Sequence, residues 1–415
     1  MFKESGIGVI EIKILHICQY YNDDWGYQEN LLPRYQAKLG HEVVVVTSDR
    51  RPYYVGDTNP RIIGTGTFDD NGIRVERLPI KWEFRNRFVV FENLMNVLER
   101  EKPDYIFHHG LTMPSLIIAS KHKKSYPNTF LAADNHADLN ISARSILWRN
   151  FYYRGFWRSK LGSVLDNIDI IFGVTPARCY FPVHLLGVPL EKVRLLPIGA
   201  DTDEAKKIDL NREVIRDEFN IPKEDFVIVS GGKLNSKKRI DRLIDAFRKI
   251  EYQNVKLVLF GSLTSELKEK VSKCNKIIFV GWLNRQDTLK VLYSSDLAIW
   301  PGIHTTLVED AIAVGTPILL RYHGSTSHHI RGNGLYLFRG DVLEIYQFLK
   351  MFCNNKEILE KMRINALKQK EILSYDQIAK ESIEYYFDLS PKENHKRFMN
   401  SFFCDPQQID FEKTE

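Results

Sequence analysis

Apolar residues in this chain fall into short continuous runs separated by stretches with helical spacing, which predicts alternating strands and helices. Ile12 to Cys18 reads as a strand, a helix from about Tyr27 to Leu39 stops at Gly40, and Val43 to Thr47 reads as a second strand. That strand–helix–strand unit opens a doubly wound domain. Residues 50 to 75 are rich in turn formers, and Asp69-Asp70-Asn71-Gly72 predicts a hairpin turn before Ile73. A helix near Val89 to Arg100 leads to a buried strand ending in His108, His109 and Gly110. Thr129 to Ala133 is a further strand ending in Asp134-Asn135-His136-Ala137-Asp138, and Ile168 to Val174 is the next.

The second half repeats the alternation. Asp209 to Asn220 is a charged helical connector, and Ile221-Pro222 marks a new start. Phe226 to Ser230 is a strand running into a loop that begins Gly231-Gly232-Lys233, and a helix follows from Ile240 to Ile250. Val255 to Gly261 and Ile277 to Val280 are strands, the latter followed by Gly281-Trp282-Leu283. The stretch from Trp300 to Leu320 is the most informative. A strand ends at Trp300, and Pro301-Gly302 breaks regular structure. Thr305 and Thr306 suit a helix N-cap, with Leu307, Val308, Ala311 and Ile312 at helical spacing. Gly315 stops that helix before the strand Ile318 to Leu320. A helix start aimed at the carboxyl end of a parallel sheet is a natural seat for phosphate. Long helices near Leu343 to Phe352 and Glu357 to Leu373, and another from Ser374, precede a tail, Asn394 to Phe403, without clear periodicity.

At 415 residues the chain exceeds one ordinary core, and two domains of roughly 200 residues each are expected. A formal net charge of +5 is too small to point to nucleic acid but leaves room for a local basic patch. The five cysteines lie far apart with no CxxC, which argues against a zinc cluster or a disulfide framework and fits a reducing compartment. Charged residues interrupt the apolar N-terminus, and no run is long enough to cross a membrane, so a cytoplasmic protein is expected.

Several stretches carry candidate chemistry. The loop Asn22 to Gly26 follows the first strand, where such sheets bind ligands, but it has no G-x-G-x-x-G fingerprint. His108 and His109 either hydrogen-bond locally or line a cleft. His136 is the sharper candidate, because its flanking acids can hold its tautomer and tune its pKa. Lys233 and Lys238, five apart, can meet one anion if the loop between them curls; otherwise they are solvated lysines at a helix entry. Glu309 fits a capping box with Thr306 as well as it fits a ligand contact. From Leu139 to Leu165 there are five basic residues, six aromatics and no acid. Trp148, Tyr152 and Phe156 recur at i, i+4 and i+8 there, which reads either as a core-facing stripe or as a helix lying in a membrane interface.

The signals "GGKLNSKKRIDRLIDAF" and "VEDAIAVGTPIL", within a pattern running from "KILHICQYY" to "SYDQIAKESIEYY", resemble family-4 glycosyltransferases of the GT-B fold. That resemblance implies an α/β protein with two Rossmann-like, doubly wound parallel-sheet domains facing across a cleft. It places an acceptor-binding domain over 1–205, a donor-binding domain over 206–375, and C-terminal helices, 376–415, packing back towards the first domain. It assigns Lys233 and Lys238 to the donor diphosphate, Glu309 to the nucleotide ribose, Gly26 to the loop near phosphates and acceptor, and His136 to the reacting centre. The other donor-binding candidates are Gly261, His304, Thr305, Thr306 and Leu307, with Trp282 and Leu283 beside the base. The family's first glutamate falls on Pro301 here, so its contact with the donor sugar is missing or passes to His304.

The implied reaction moves a sugar from a nucleotide-activated donor to a glycan or lipid-linked acceptor with retention. It needs no metal or other cofactor, since the lysines and a helix start absorb the charge of the leaving diphosphate. Expected partners are the nucleotide-sugar and the acceptor, with peripheral contact to an anionic membrane and no nucleic acid. The alternatives are a GT-B-fold sugar-nucleotide epimerase and a non-catalytic partner subunit.

Overall fold

The computed structural model describes residues 10–23, 26–52, 59–84, 87–208 and 211–397. Asp24 and Trp25 of the first loop, Asp209 at the start of the connector, and the tail beyond Arg397 with Cys404 lie outside the described residues. Among the described residues no helix is long and apolar enough to cross a membrane.

The chain divides into two compact units. The first runs up to Pro197 and takes in the segment from Ile378; the second runs from Ile198 to Gln377. The division falls before residue 206 because Ala200 already bridges to Ser374, and Asp201 caps the helix Thr202–Lys206 on the second unit's side.

The first unit contains β1 (Lys13–Ile17), β2 (Glu42–Ser48), β3 (Gly66–Asp70), β4 (Ile73–Leu78), β5 (Ile80–Phe84), β6 (Phe88–Phe91), β7 (Tyr105–His108), β8 (Phe130–Asn135), β9 (Ile170–Gly173) and β10 (Val193–Leu195). Eight of them form one sheet in the order β10-β9-β8-β7-β1-β2-β4-β3, and β5 and β6 pair separately. All pairings in the large sheet are parallel except β3 with β4. Those two strands form the hairpin expected at Asn71-Gly72, where both residues take positive φ. Val43 to Val46 are buried on both faces, as a parallel strand covered on both sides requires. The helix expected from Val89 starts only at Leu94, because Phe88–Phe91 pairs as β6 against β5.

In the second unit, β11 (Phe226–Leu234), β12 (Val255–Leu263), β13 (Ile277–Phe279), β14 (Leu297–Trp300), β15 (Ile318–Arg321) and β16 (Gly334–Leu337) make an all-parallel sheet in the order β13-β12-β11-β14-β15-β16. One core cluster joins one face of its strands to the helices Ile240–Phe247 and Val342–Asn354, while Val229, Val258, Ala298 and Leu320 are buried on the other. Strand β11 does not stop at Ser230. It continues through Gly231, Gly232 and Lys233, pairing with β12 as far as Leu234↔Leu263, so the expected glycine loop is an extended strand end.

Each sheet reverses its strand order once, between β7 and β1 in the first unit and between β11 and β14 in the second. The loops leaving the carboxyl ends of such neighbouring strands diverge and open a crevice, which is where doubly wound sheets bind ligands.

Candidate active site

In the second unit the crevice lies between the ends of β11 and β14. Lys233 is the penultimate residue of β11 and is exposed. The chain then curls through a 3-10 turn, Ser236–Lys238, because the Asn235 side chain accepts the Lys238 N–H at 3.0 Å. This turn brings Lys238 back towards the strand end. A β-carbon built on Gly232, whose φ is +103°, would lie 3.2 Å from Leu307 Cδ1, 3.8 Å from Lys238 Nζ and 3.9 Å from Thr305 Oγ1. Four of the residues singled out in the sequence therefore converge on one point. Burial, and then the like charge of Lys233, pull the Lys238 ammonium below its ordinary value. Two ammonium groups and a side-chain-free backbone make a place where an anion relieves repulsion.

The Pro301-Gly302 break has a steric purpose. A β-carbon on Gly302 would sit 2.6 Å from Lys238 Cα, so only glycine lets the two backbones meet. Trp300 secures the other side, its indole N–H donating to the Gly231 carbonyl at 3.3 Å. Gly261 of β12 pairs with Gly232, and a β-carbon on it would be 2.1 Å from the Gly232 oxygen. Its N–H donates to Gly281 O, which draws the loop carrying Trp282 and Leu283 to this end of the sheet. Trp282 is 73% exposed there.

Glu309 does not close a capping box. Thr306 is the N-cap of the helix Leu307–Ala313, but its side chain makes no cap hydrogen bond. The Glu309 carboxylate instead meets His304 Nε2 at 2.9 Å and His329 Nε2 at 3.1 Å, both through Oε1. Burial alone would raise its pKa; the charges of His304 and His329 and their hydrogen bonds overcome this and hold it well below the usual carboxylate range. Its second oxygen, Oε2, is buried without a hydrogen-bond partner among the described residues. His329 is the residue that sequence reasoning missed; the adjacent histidines in "STSHHIRG" were the available signal. The neighbouring acid, Asp310, is spoken for: it pairs with Arg285 at 2.5 Å.

In the first unit the crevice lies between β1 and β7. His108 hydrogen-bonds locally, to Ser115 Oγ at 2.8 Å and Gly110 O at 2.9 Å. His109 does not; its Nδ1 lies 2.9 Å from Asp134 Oδ2, and the same oxygen is 3.2 Å from His136 Nε2. Asp134 thus joins two strand-end histidines, while Asp138 turns away to accept the N–H groups of Asn140 and Ile141. Burial disfavours the charged form of His136, but the charge and hydrogen bond of Asp134 outweigh it and raise the imidazole above its ordinary value. A cavity of about 250 Å³ opens here, lined among others by Gln19, Tyr20, Tyr27, Glu29, His109 and His136. Gly26 is exposed just before the helix Gln28–Lys38.

The aromatic and basic stretch forms a π-helix, Trp148–Trp157, continued by Arg158–Gly162. Its core face is Tyr153, Trp157 and Leu161; of the two readings of Trp148, Tyr152 and Phe156, the core-facing stripe is not formed. Ile146 (71%), Leu147 (69%) and Phe151 (74%) face solvent. Phe88 of β6 packs against Tyr152, Phe156 and Trp157, so this surface continues onto the β5–β6 pair with its exposed Trp82.

Comparisons with known proteins bear on both units. The family profile for glycosyl transferases group 1 matches residues 211–369, and that for glycosyltransferase family 4 matches 31–204; together they cover about four fifths of the chain. An uncharacterised glycosyltransferase of Methanocaldococcus jannaschii is 28% identical over 233 residues, a stretch spanning 49% of this chain and 55% of that relative's length. Among solved structures, HepE of Anabaena in complex with UDP superposes with a TM-score of 0.65 at 15% identity, covering 90% of this chain and 99% of HepE. Sucrose-phosphate synthase of Thermosynechococcus elongatus gives 0.63 at 15% identity, with 91% and 99% covered. At such identities these structures share the fold, which is GT-B.

Proposed function

The chain belongs to the glycosyltransferases that these two profiles describe, and from that membership we propose that it moves a sugar from a nucleotide-activated donor to a glycan or lipid-linked acceptor. The observation that carries the proposal is the meeting of Lys238, Thr305 and Leu307 over Gly232, with the Lys238 ammonium destabilised by burial and by Lys233. A diphosphate placed there takes hydrogen bonds from both lysines and the Thr305 hydroxyl. Its growing negative charge, as the sugar–phosphate bond breaks, is stabilised by groups already in position. No step of this reading needs a metal. The buried Oε2 of Glu309 takes a ribose hydroxyl, and His304, held by Glu309, lies next to the sugar in place of the glutamate that Pro301 replaces. His136 serves the reacting centre from the first unit, with Asp134 fixing its ring. The reaction retains anomeric configuration.

The acceptor side of the proposal includes a membrane. Exposed Ile146, Leu147 and Phe151 stand among Arg144, Arg149 and Arg154 on a stretch without acids, the combination that partitions into an anionic headgroup layer. It supports a lipid-linked acceptor reached from the bilayer surface.

A thermal-shift screen of nucleotide-sugars tests the donor reading, because a donor that binds only the folded chain raises its melting temperature by mass action. UDP-sugars come first in that screen, HepE having been solved with UDP-glucose. Transfer of label from the stabilising donor to a lipid-linked acceptor is the second step. If no nucleotide-sugar stabilises the protein, the proposal is wrong.

A further inference from the structure

Behind Asp134 runs a chain of buried hydrogen bonds whose polarity is fixed from its far end. The Ser382 hydroxyl donates to Ala379 O at 2.6 Å, so its oxygen accepts from Gln36 Nε2 at 3.0 Å. Gln36 then turns Oε1 towards His16 Nε2, 2.6 Å away. An amide oxygen only accepts, so His16 carries hydrogen on Nε2. Burial, followed by the charge of His109, lowers the His16 pKa to about 3, so the ring is neutral and its Nδ1 is bare. That Nδ1 lies 3.0 Å from His109 Nε2, which must therefore be the donor. The other nitrogen of His109 faces Asp134 Oδ2 at 2.9 Å, and a bare Nδ1 would set two lone pairs against each other. Both ring nitrogens of His109 need a proton.

We propose that the Ser382–Gln36–His16 chain holds His109 as a buried imidazolium, and that His109 acts as a positioning residue that neutralises Asp134 and sets the proton inventory of His136. All these residues lie in the first unit. Asp134 is fully buried; its Oδ1 accepts from the Gly110 N–H at 2.8 Å and its Oδ2 from both histidines. With His109 cationic, Asp134 is partly compensated and pulls less on the second proton of His136 than a lone carboxylate would, while still raising that imidazole above its ordinary value. The neutral His136 keeps its proton on Nε2, towards Asp134, and its Nδ1, which makes no hydrogen bond among the described residues, accepts from a ligand. Burial, and then the neighbouring His109, also lower the pKa of His108. The charged groups facing His136 are Asp134, Glu29 and Arg178, with His109 beyond Asp134. The inference rests on the reading of His136 as ligand-facing for its purpose, but not for its test.

The test is nitrogen-15 spectroscopy of the histidine-labelled full chain, with His16→Gln, His109→Gln and His136→Gln variants to assign the rings. The expected result is a His109 with both ring nitrogens protonated through neutral pH, and a His16 protonated on Nε2 alone. A neutral His109 protonated only on Nδ1 overturns the proposal, since that is the state with the Gln36 amide turned and the chain running the other way. In His109→Gln the compensation of Asp134 is lost, and His136 should titrate about one pH unit higher. An unmoved His136 in a folded variant overturns the positioning role. Should that variant not fold, the wild-type ring states still decide. None of these readouts uses glycosyl transfer, so failure of the donor screen and failure of this inference are separate results.

Discussion

Lys238→Met separates a ligand-binding lysine from a structural one, because the two roles predict opposite effects on stability. Lys238 is half-buried in the turn after β11, and both burial and the Lys233 charge work against its ammonium. Its folded pKa lies below the unfolded value, so the unfolded chain binds the extra proton more tightly. Stability therefore rises with pH as Lys238 loses its proton, and at neutral pH the charged group is a net cost to the fold. Methionine keeps most of the aliphatic stem and removes the charge. The melting temperature of the unliganded variant should stay level or rise. Diphosphate binding should fall, since a hydrogen bond to a charged group contributes about 1.5–3 kcal/mol, or roughly 10- to 150-fold in Kd. Calorimetric titration with UDP and other nucleoside diphosphates, beside thermal melts without ligand, reads both quantities on one preparation. A variant that melts well below the parent yet binds diphosphate unchanged would refute the reasoning.

Gly302→Ala must push the added carbon against Lys238 Cα from 2.6 Å, so it should cost about 1–3 kcal/mol and weaken diphosphate binding with Lys238 itself intact, as melts and titration would show. Glu309→Gln removes the charge that both histidines address and should cost roughly 1.5–3 kcal/mol at pH 7. The folded pKa of Glu309 is depressed, so its contribution is present above the unfolded carboxylate pKa and is lost as pH falls through the folded one; parent and variant should converge in acid melts. Leu147→Ser with Phe151→Ser should reduce co-sedimentation with anionic vesicles while leaving the melting temperature unchanged, since both side chains are exposed. Binding by the parent should also weaken as salt rises.

What could be read from the sequence, and what could not, follows the range of the forces involved. Strands such as Val43–Val46 and helix stops such as Gly40 are written locally, so the alternation of elements emerges from periodicity alone. The Gly232–Lys238–Thr305 meeting point was foreseen as a set of residues but not as a geometry. It depends on β11 extending four residues past Ser230, which β12 imposes by pairing from a distance. The core-facing reading of the stripe on the Trp148 helix failed for a related reason: Trp148, Tyr152 and Phe156 share their i, i+4, i+8 spacing with Tyr153, Trp157 and Leu161, and local periodicity cannot choose between two such series; packing against the rest of the unit buries the second. The capping box at Thr306 and Glu309 was a sound local pattern. It lost because His329, twenty residues on, offers the buried carboxylate a stronger partner than a backbone N–H.

Both units place a carboxylate between two histidines at the crevice of a parallel sheet, and the difference between the two clusters indicates what each does. Asp134 has both oxygens engaged, one by Gly110 N–H and the other by His109 and His136. Such a fully buried group, with both oxygens already bonded, acts through the ring it holds, so substituting it should change the titration of His136 before it changes affinity. Glu309 spends one oxygen on both histidines and keeps the other buried and unmatched. A buried acceptor without a donor costs stability until something supplies one. In a protein of this family a hydroxyl of the donor is the candidate. The loss of ligand-induced stabilisation in Glu309→Gln should therefore exceed that in an Asp134→Asn variant measured with the same nucleotide.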